Sequence, residues 1–220
     1  MKVEIYSDVA CPWCYIGQAR FERALADFAA ADELDVRYRP YQLDPRAPSD
    51  AVPMLEYLGR RFGQQAPAMA SRVIEIGRAE GLAMDYDRGL AVNTLNAHRL
   101  LALAEREYGG TIQRALMRRL FAAHFAEGRD VGDPGVLAAL AAEVGMAADA
   151  ARAYLDSDQG TREVREEIAA AQRLGVTAVP TYVFDDKYVV EGAQSSELFL
   201  QALNSVAKQA AVSDDLPITS

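Results

Sequence analysis

The chain has almost no cysteine to work with: two residues, Cys11 and Cys14, separated only by Pro12 and Trp13. A staple between distant segments is therefore excluded. The loop that a bond between these two would close is so short that it would add little stability by restricting the unfolded chain. Positive charge is also in deficit. Lys and Arg number 23 against 32 Asp and Glu, for a net charge of -9, so the surface repels phosphate backbones and anionic headgroups. Neither nucleic acid nor membrane is expected as a partner. No apolar run approaches the ~18 residues of a membrane span, and the opening MKVEIYSDV alternates like a strand without the apolar core of a secretory leader. These absences lead us to expect a cytoplasmic protein. In a reducing compartment a vicinal cysteine pair points to catalysis or metal binding before it points to a structural bond.

The rest is ordinary globular composition, 50% hydrophobic and 25% charged. KVEIYS (2–7) predicts a strand, and Ile16, Phe21, Leu25 and Phe28 form an apolar stripe at helical spacing. LDVRYRPYQL (34–43) sets Leu34, Val36 and Tyr38 against charged neighbours, a second strand ended by Pro40 and Pro45. From about 50 to 174, Ala, Leu, Glu and Arg dominate between glycine breaks, Asp133-Pro134 reads as a helix cap followed by proline at the first helical position, and no strand is expected. Strand signals return in TYVFDDKYVVEG (181–192), a hairpin around Asp185-Asp186. Ser195 then caps a last helix through Phe199, Leu203 and Val206, with Glu197 in its first turn. Strands this short cannot stand alone, so the two terminal segments are expected to share one sheet. The expected organisation is an α/β domain of residues 1–48 and 175–210, interrupted by an all-helical insertion at 49–174 and followed by a frayed tail at 211–220.

Pro12 has its φ preset and no N–H, which suits the first helical position, and it biases Cys11 away from helical angles. Cys11 thereby becomes the N-cap. Its sulfur is expected to face the free N–H groups of Trp13 and Cys14 and the positive end of the helix dipole, both of which favour thiolate. Cys14 lies one turn later on the same face and nearer the helix body, a position suited to resolving a bond made at Cys11. The second proline of interest, in GVTAVPTYVF, stands at the entrance of a strand, where no ladder bond is lost.

SDVACPWCYIG (7–17), NTLNAHRL (93–100), LFAAHFAEGRDVGD (120–133), GVTAVPTYVF and VEGAQ, in this order, resemble the DsbA family of the thioredoxin superfamily, in its leaderless FrnE-like branch. The resemblance covers nearly the whole chain and fails only in the tail. It implies a thioredoxin-like fold with a large α-helical insertion and a dithiol-disulfide oxidoreductase with Cys11 as nucleophile. It further implies that Val179-Pro180 is the cis-proline element beside Cys11, and that Pro12, Trp13, Val179, Pro180 and His98 wall the substrate groove. Trp13 stands where the strongly oxidising periplasmic relatives carry histidine. An indole donates only through its N–H, so a less oxidising couple is expected, with the direction of flux open. Expected partners are protein or small-molecule thiols and disulfides, with glutathione as one redox partner, no metal or organic cofactor, and a homodimer through the helical block left open.

Two rivals have a basis in the residues. Cys11, Cys14, His98 and His124 number the ligands of a structural zinc site, but such sites place their two histidines about 3 to 5 residues apart, which His98 and His124 are not. A glutathione-using isomerase or transferase, related to the kappa-class transferases and 2-hydroxychromene-2-carboxylate isomerase, resembles the chain in its inserted helices. Those enzymes carry serine where Cys11 stands. His98 lies on an apolar helical stripe and serves core or pocket equally by spacing, and the family motif tips it to the pocket. His124 is expected to be structural, Asn93 a helix cap, and Asp8 a turn residue rather than a buried proton-relaying carboxylate.

Overall fold

The computed structural model describes the backbone of residues 1–214 and side-chain surroundings as far as 209. Strand β1 (Lys2–Ser7) leads into α1 (Pro12–Ala26) and returns as β2 (Asp35–Pro40). Helices α2 (Met54–Phe62), α3 (Ala66–Ala79), α4 (Leu95–Tyr108), α5 (Gly110–Phe121), α6 (Pro134–Glu143), α7 (Ala148–Leu155) and α8 (Thr161–Arg173) follow, interrupted by two-residue strands at Val52–Pro53 (β3) and Leu90–Ala91 (β4). The hairpin β5 (Thr181–Phe184) and β6 (Tyr188–Glu191) precedes α9 (Ser196–Asp214).

The terminal segments share one sheet in the order β2-β1-β5-β6, with β1 parallel to β2 and antiparallel to β5. Register places Ile5 between Tyr38 and Tyr182, so alternate residues of three strands enter one buried layer. The hairpin turns where Asp185 and Asp186 both take positive φ, 46° and 57°, the twist that a two-residue connection between antiparallel strands requires. On the α1/α9 side, Phe21, Tyr182 and Phe199 pack ring against ring with centroids 4.5 to 5.4 Å apart. At the outer edge of β2, Gln113 of α5 accepts from the Tyr38 N–H at 2.9 Å and donates to the Tyr38 carbonyl at 3.0 Å. A side-chain amide thus closes part of an otherwise unpaired sheet edge.

Two expectations need correction. Among residues 49–174 the structure has the short antiparallel pair β3 and β4. Each is two residues long and carries no alternation to read, and their pairing comes from two loops that tertiary packing brings together. The tail expected to fray from 211 instead continues α9 as far as Asp214, and residues 215–220 lie outside the described residues. The caps behave as the side-chain chemistry dictates. Asp133 accepts from the Val136 N–H at 2.8 Å and Ser195 from the Leu198 N–H at 3.3 Å, whereas Asn93 stands one residue before the N-cap, Thr94, and accepts from the Leu95 N–H at 3.0 Å from there.

The helical block is held over the start of α1 by aromatic stacking. Tyr15 of α1 packs against both Phe121 and Phe125, with centroids 5.3 and 5.5 Å away, and those two rings lie 6.3 Å from each other. Phe125 belongs to a π-helical turn, Ala122–Ala126, that continues α5. Such a turn re-aims side chains that a regular helix would carry past, and here it brings both Phe125 and His124 into the interior.

Candidate active site

Cys11 takes an extended conformation (φ −90°, ψ 112°), Pro12 opens the helix, and the N–H groups of Cys14 and Tyr15 close on the Cys11 carbonyl at 3.0 and 3.2 Å. The N-cap position follows from proline sterics. The expected approach of the sulfur to the free helical N–H groups does not occur as a hydrogen bond. A thiol needs an acceptor and a backbone N–H is not one, so Cys11 Sγ donates across the site to the Val179 carbonyl, at 3.7 Å. The Val179–Pro180 peptide is cis, and Pro180 leads directly into β5.

Both cysteines are free and buried. Burial, reinforced by the hydrogen bond and charge of Cys11, pushes the Cys14 thiol well above its ordinary pKa, against smaller opposing effects from the Ser7 hydroxyl and the Asp8 backbone. The pair is therefore asymmetric: Cys14 holds its proton, and Cys11 is the sulfur that meets open space.

That open space is a cleft of about 430 Å³ between the start of α1, the loop before Pro180 and helices α2 and α3. Cys11, Pro12, Trp13 and Val179 line it, and Trp13 is partly exposed. Its opposite side is apolar, built from Met54, Tyr57, Phe62, Met69, Val73 and Phe125. Pro180 lies behind this surface, where its Cγ is 3.0 Å from the position a Cβ on Gly17 would occupy.

His98 is not part of the cleft wall, which corrects its assignment to the substrate groove. Its ring is buried beneath the site and its Nε2 meets the Asp8 carboxylate at 3.2 Å. It reaches the cleft only through Asp8, which does line it. Asp8 is itself more than a turn residue. Its carboxylate is buried and accepts from the Leu43 N–H at 2.8 Å and the Ala10 N–H at 3.4 Å as well as from His98. Burial alone would raise the pKa of this carboxyl, but the His98 ring and the Leu43 N–H hold it below the ordinary carboxylate value. The ionised form accepts only, so His98 carries its proton on Nε2 toward Asp8.

His124 is buried, stacked edge-on against Phe125 at 4.6 Å, and neither ring nitrogen has a hydrogen-bond partner. Burial pushes its pKa down to about 4, partly offset by the Asp8 charge. The four residues that count as zinc ligands do not converge, and among the described residues no cluster of three or more His, Cys, Asp and Glu side chains is placed to hold a metal. Sequence reasoning missed the far wall of the cleft. Met54, Tyr57, Phe62, Met69 and Val73 sit on two helices whose apolar positions look like ordinary core, and only their spacing across from Cys11 reveals what they line.

A CXXC pair at the start of the first helix, behind the first strand of a β2-β1-β5-β6 sheet and opposite a proline at the β5 entrance, defines a thioredoxin-class redox scaffold. The DSBA-like thioredoxin domain family matches residues 2–204, and the chain belongs to it. It is similar to "probable DsbA oxidoreductase SCO1869" from Streptomyces coelicolor, with 37% identity, a TM-score of 0.86, and coverage of 100% of this chain and 93% of that one. In fold it is also similar to a 2-hydroxychromene-2-carboxylate isomerase (17% identity, TM-score 0.69, covering 96% and 98% of the two chains). A third likeness of fold is to the cytosolic disulfide reductase DsbM from Pseudomonas aeruginosa, solved with glutathione (20% identity, TM-score 0.64, covering 98% and 100%). Among the described residues no helix is long and apolar enough to cross a membrane.

Proposed function

We propose that the protein is a dithiol-disulfide oxidoreductase working through Cys11 and Cys14 by mixed-disulfide exchange. The observation that carries the reading is the asymmetry of the pair. Cys11, at a helix N-terminus, lines the cleft, while Cys14, equally buried, does not line it and holds its proton. In the reducing direction the Cys11 thiolate attacks a substrate disulfide, one substrate thiolate leaves, and Cys14 loses its proton and displaces the second. Two electrons pass from the enzyme dithiol to the substrate. In the oxidising direction a substrate thiolate attacks Cys11 of the enzyme disulfide, Cys14 leaves as thiol, and a second substrate thiol releases the product. The chemistry calls for no metal or organic cofactor. A low-molecular-weight thiol is a suitable reductant, and the reducing cytoplasm, the compartment in DsbM's name, is the setting in which the couple would work as a reductase.

The test separates the two sulfurs. Cys14→Ser should accumulate a covalent adduct between Cys11 and a disulfide substrate, visible by intact mass, whereas Cys11→Ser should lose all exchange. Turnover retained by Cys11→Ser would end the nucleophile assignment. A glutathione-dependent isomerisation that survives Cys14→Ser would favour the isomerase-type reading, which has no use for a second thiol.

A further inference from the structure

We infer that the cleft selects small-molecule disulfides whose arm is uncharged and bulky, aromatic or branched aliphatic, over glutathione disulfide and over disulfides on folded proteins. The inference rests on the exchange chemistry just proposed and adds the class of substrate. Access comes first. Cys11 is only 2% exposed, and its sulfur lies at the floor of a space roofed by α2 and α3. A folded surface cannot bring a sulfur into line with it, whereas a molecule small enough to enter can. The volume, about 430 Å³, falls within the ~300–1,000 Å³ of small-molecule sites.

Charge decides the kind of molecule. The charged residues on the cleft wall are Asp8, Asp44 and Arg61. Arg61 is already engaged, paired with the Asp44 carboxylate, hydrogen-bonded to Tyr57 Oη at 3.1 Å, and held 5.7 Å from the centre of the Phe62 ring. Asp44 also accepts from Tyr57 Oη at 2.6 Å. The lining therefore carries one more carboxylate than cation, and its one guanidinium is already paired through Nη1 with Asp44. Each glutathione arm brings two carboxylates against one ammonium, a net negative charge that would have to leave water for a wall whose carboxylates outnumber its single, already paired cation. Met54, Leu58, Met69 and Val73 instead offer adaptable apolar surface to an uncharged arm.

Chemically, the reduced enzyme and a disulfide R–S–S–R give the Cys11–Cys14 disulfide and two R–SH. Cys11 bonds to one substrate sulfur as the other departs and is protonated, and the Cys14 proton ends on the second. Two molecules of a low-molecular-weight thiol return two electrons and two protons to the enzyme and leave as their own disulfide.

The experiment compares kcat/KM for bis(2-phenylethyl) disulfide, bis(2-hydroxyethyl) disulfide, glutathione disulfide and the insulin disulfides, with dithiothreitol as reductant. The phenylethyl compound should exceed the hydroxyethyl compound by about 10-fold or more, with glutathione disulfide and insulin slower still. Met69→Asp, at a half-exposed position that tolerates charge, should lower the phenylethyl-to-hydroxyethyl ratio at least about threefold, chiefly through KM. Val73→Trp, which fills the cleft, should do the same. Equal kcat/KM for all four substrates, or preference for insulin, would overturn the substrate class while leaving the exchange chemistry standing. Turnover of none would overturn both.

Discussion

His124 provides a pH-dependent test of the fold that needs no knowledge of substrate. Its ring is buried in the π-helical turn beside Phe125 with both nitrogens unpartnered, and its pKa falls from an ordinary 6.5 to about 4. In the unfolded chain the ring takes up a proton as pH drops through 6.5, whereas the folded protein takes it up only near 4. The native state thus binds fewer protons in that window, and stability falls as pH falls from 6.5 to 4, with no further change from this group below. The depression of about 2.5 units corresponds to about 3 kcal/mol, most of it lost by pH 4.5. The Asp8 carboxyl has its own pKa lowered below 3.8, so its protonation lies beneath this window. Urea unfolding curves at pH 7.5, 6.0, 5.0 and 4.5 should show the decline in wild type. In His124→Leu the decline should be reduced by most of that amount. The variant should also gain about 1 kcal/mol or more at pH 7.5, because two buried polar atoms without partners are removed. An acid slope unchanged in His124→Leu would refute the reasoning, and a strongly destabilised variant at pH 7.5 would mean that the ring nitrogens have a partner in solution.

Three further outcomes follow from the packing. His98→Leu leaves the buried Asp8 carboxylate without its imidazole partner and should cost about 3 to 5 kcal/mol by denaturation at pH 7. In wild type, Asp8's contribution is present above 3.8 and lost as pH falls through its lowered value; in His98→Leu burial is no longer offset by the ring, so that acid-side loss should shrink. A cost below about 1 kcal/mol would show that the pair is dispensable. Gly17→Ala would place a Cβ 2.8 Å from Tyr182 Oη and 3.0 Å from Pro180 Cγ. It should destabilise by about 1 to 3 kcal/mol and slow exchange at Cys11, read by thermal melting and disulfide turnover. Buried Arg99 donates to the carbonyls of Tyr154, Leu155, Ser157 and Gln159 and to Asn96. A lysine cannot reproduce that fork, so Arg99→Lys should cost about 2 to 4 kcal/mol.

Local signals carried the frame of this protein. Pro12 put Cys11 at the N-cap by sterics alone, alternation marked β1, β2 and the β5-β6 hairpin, and Asp133 and Ser195 announced their caps, because each of these depends on a few neighbouring atoms. The ordered motifs from SDVACPWCYIG to VEGAQ carried the family. Features that depend on residues far apart in the chain stayed hidden. The single carboxylate of Asp8 reads as a turn until the fold brings His98 and the Leu43 N–H against it. The thiol of Cys11 reads as a helix cap until the Val179 carbonyl arrives across the site. The family motif assigns His98 to the groove, but its helix delivers it behind Asp8. The apolar residues of α2 and α3 show the limit most clearly. Hydrophobicity in sequence says that a side chain leaves water, not whether another side chain or a substrate covers it, and only the position of those helices over Cys11 made them a wall.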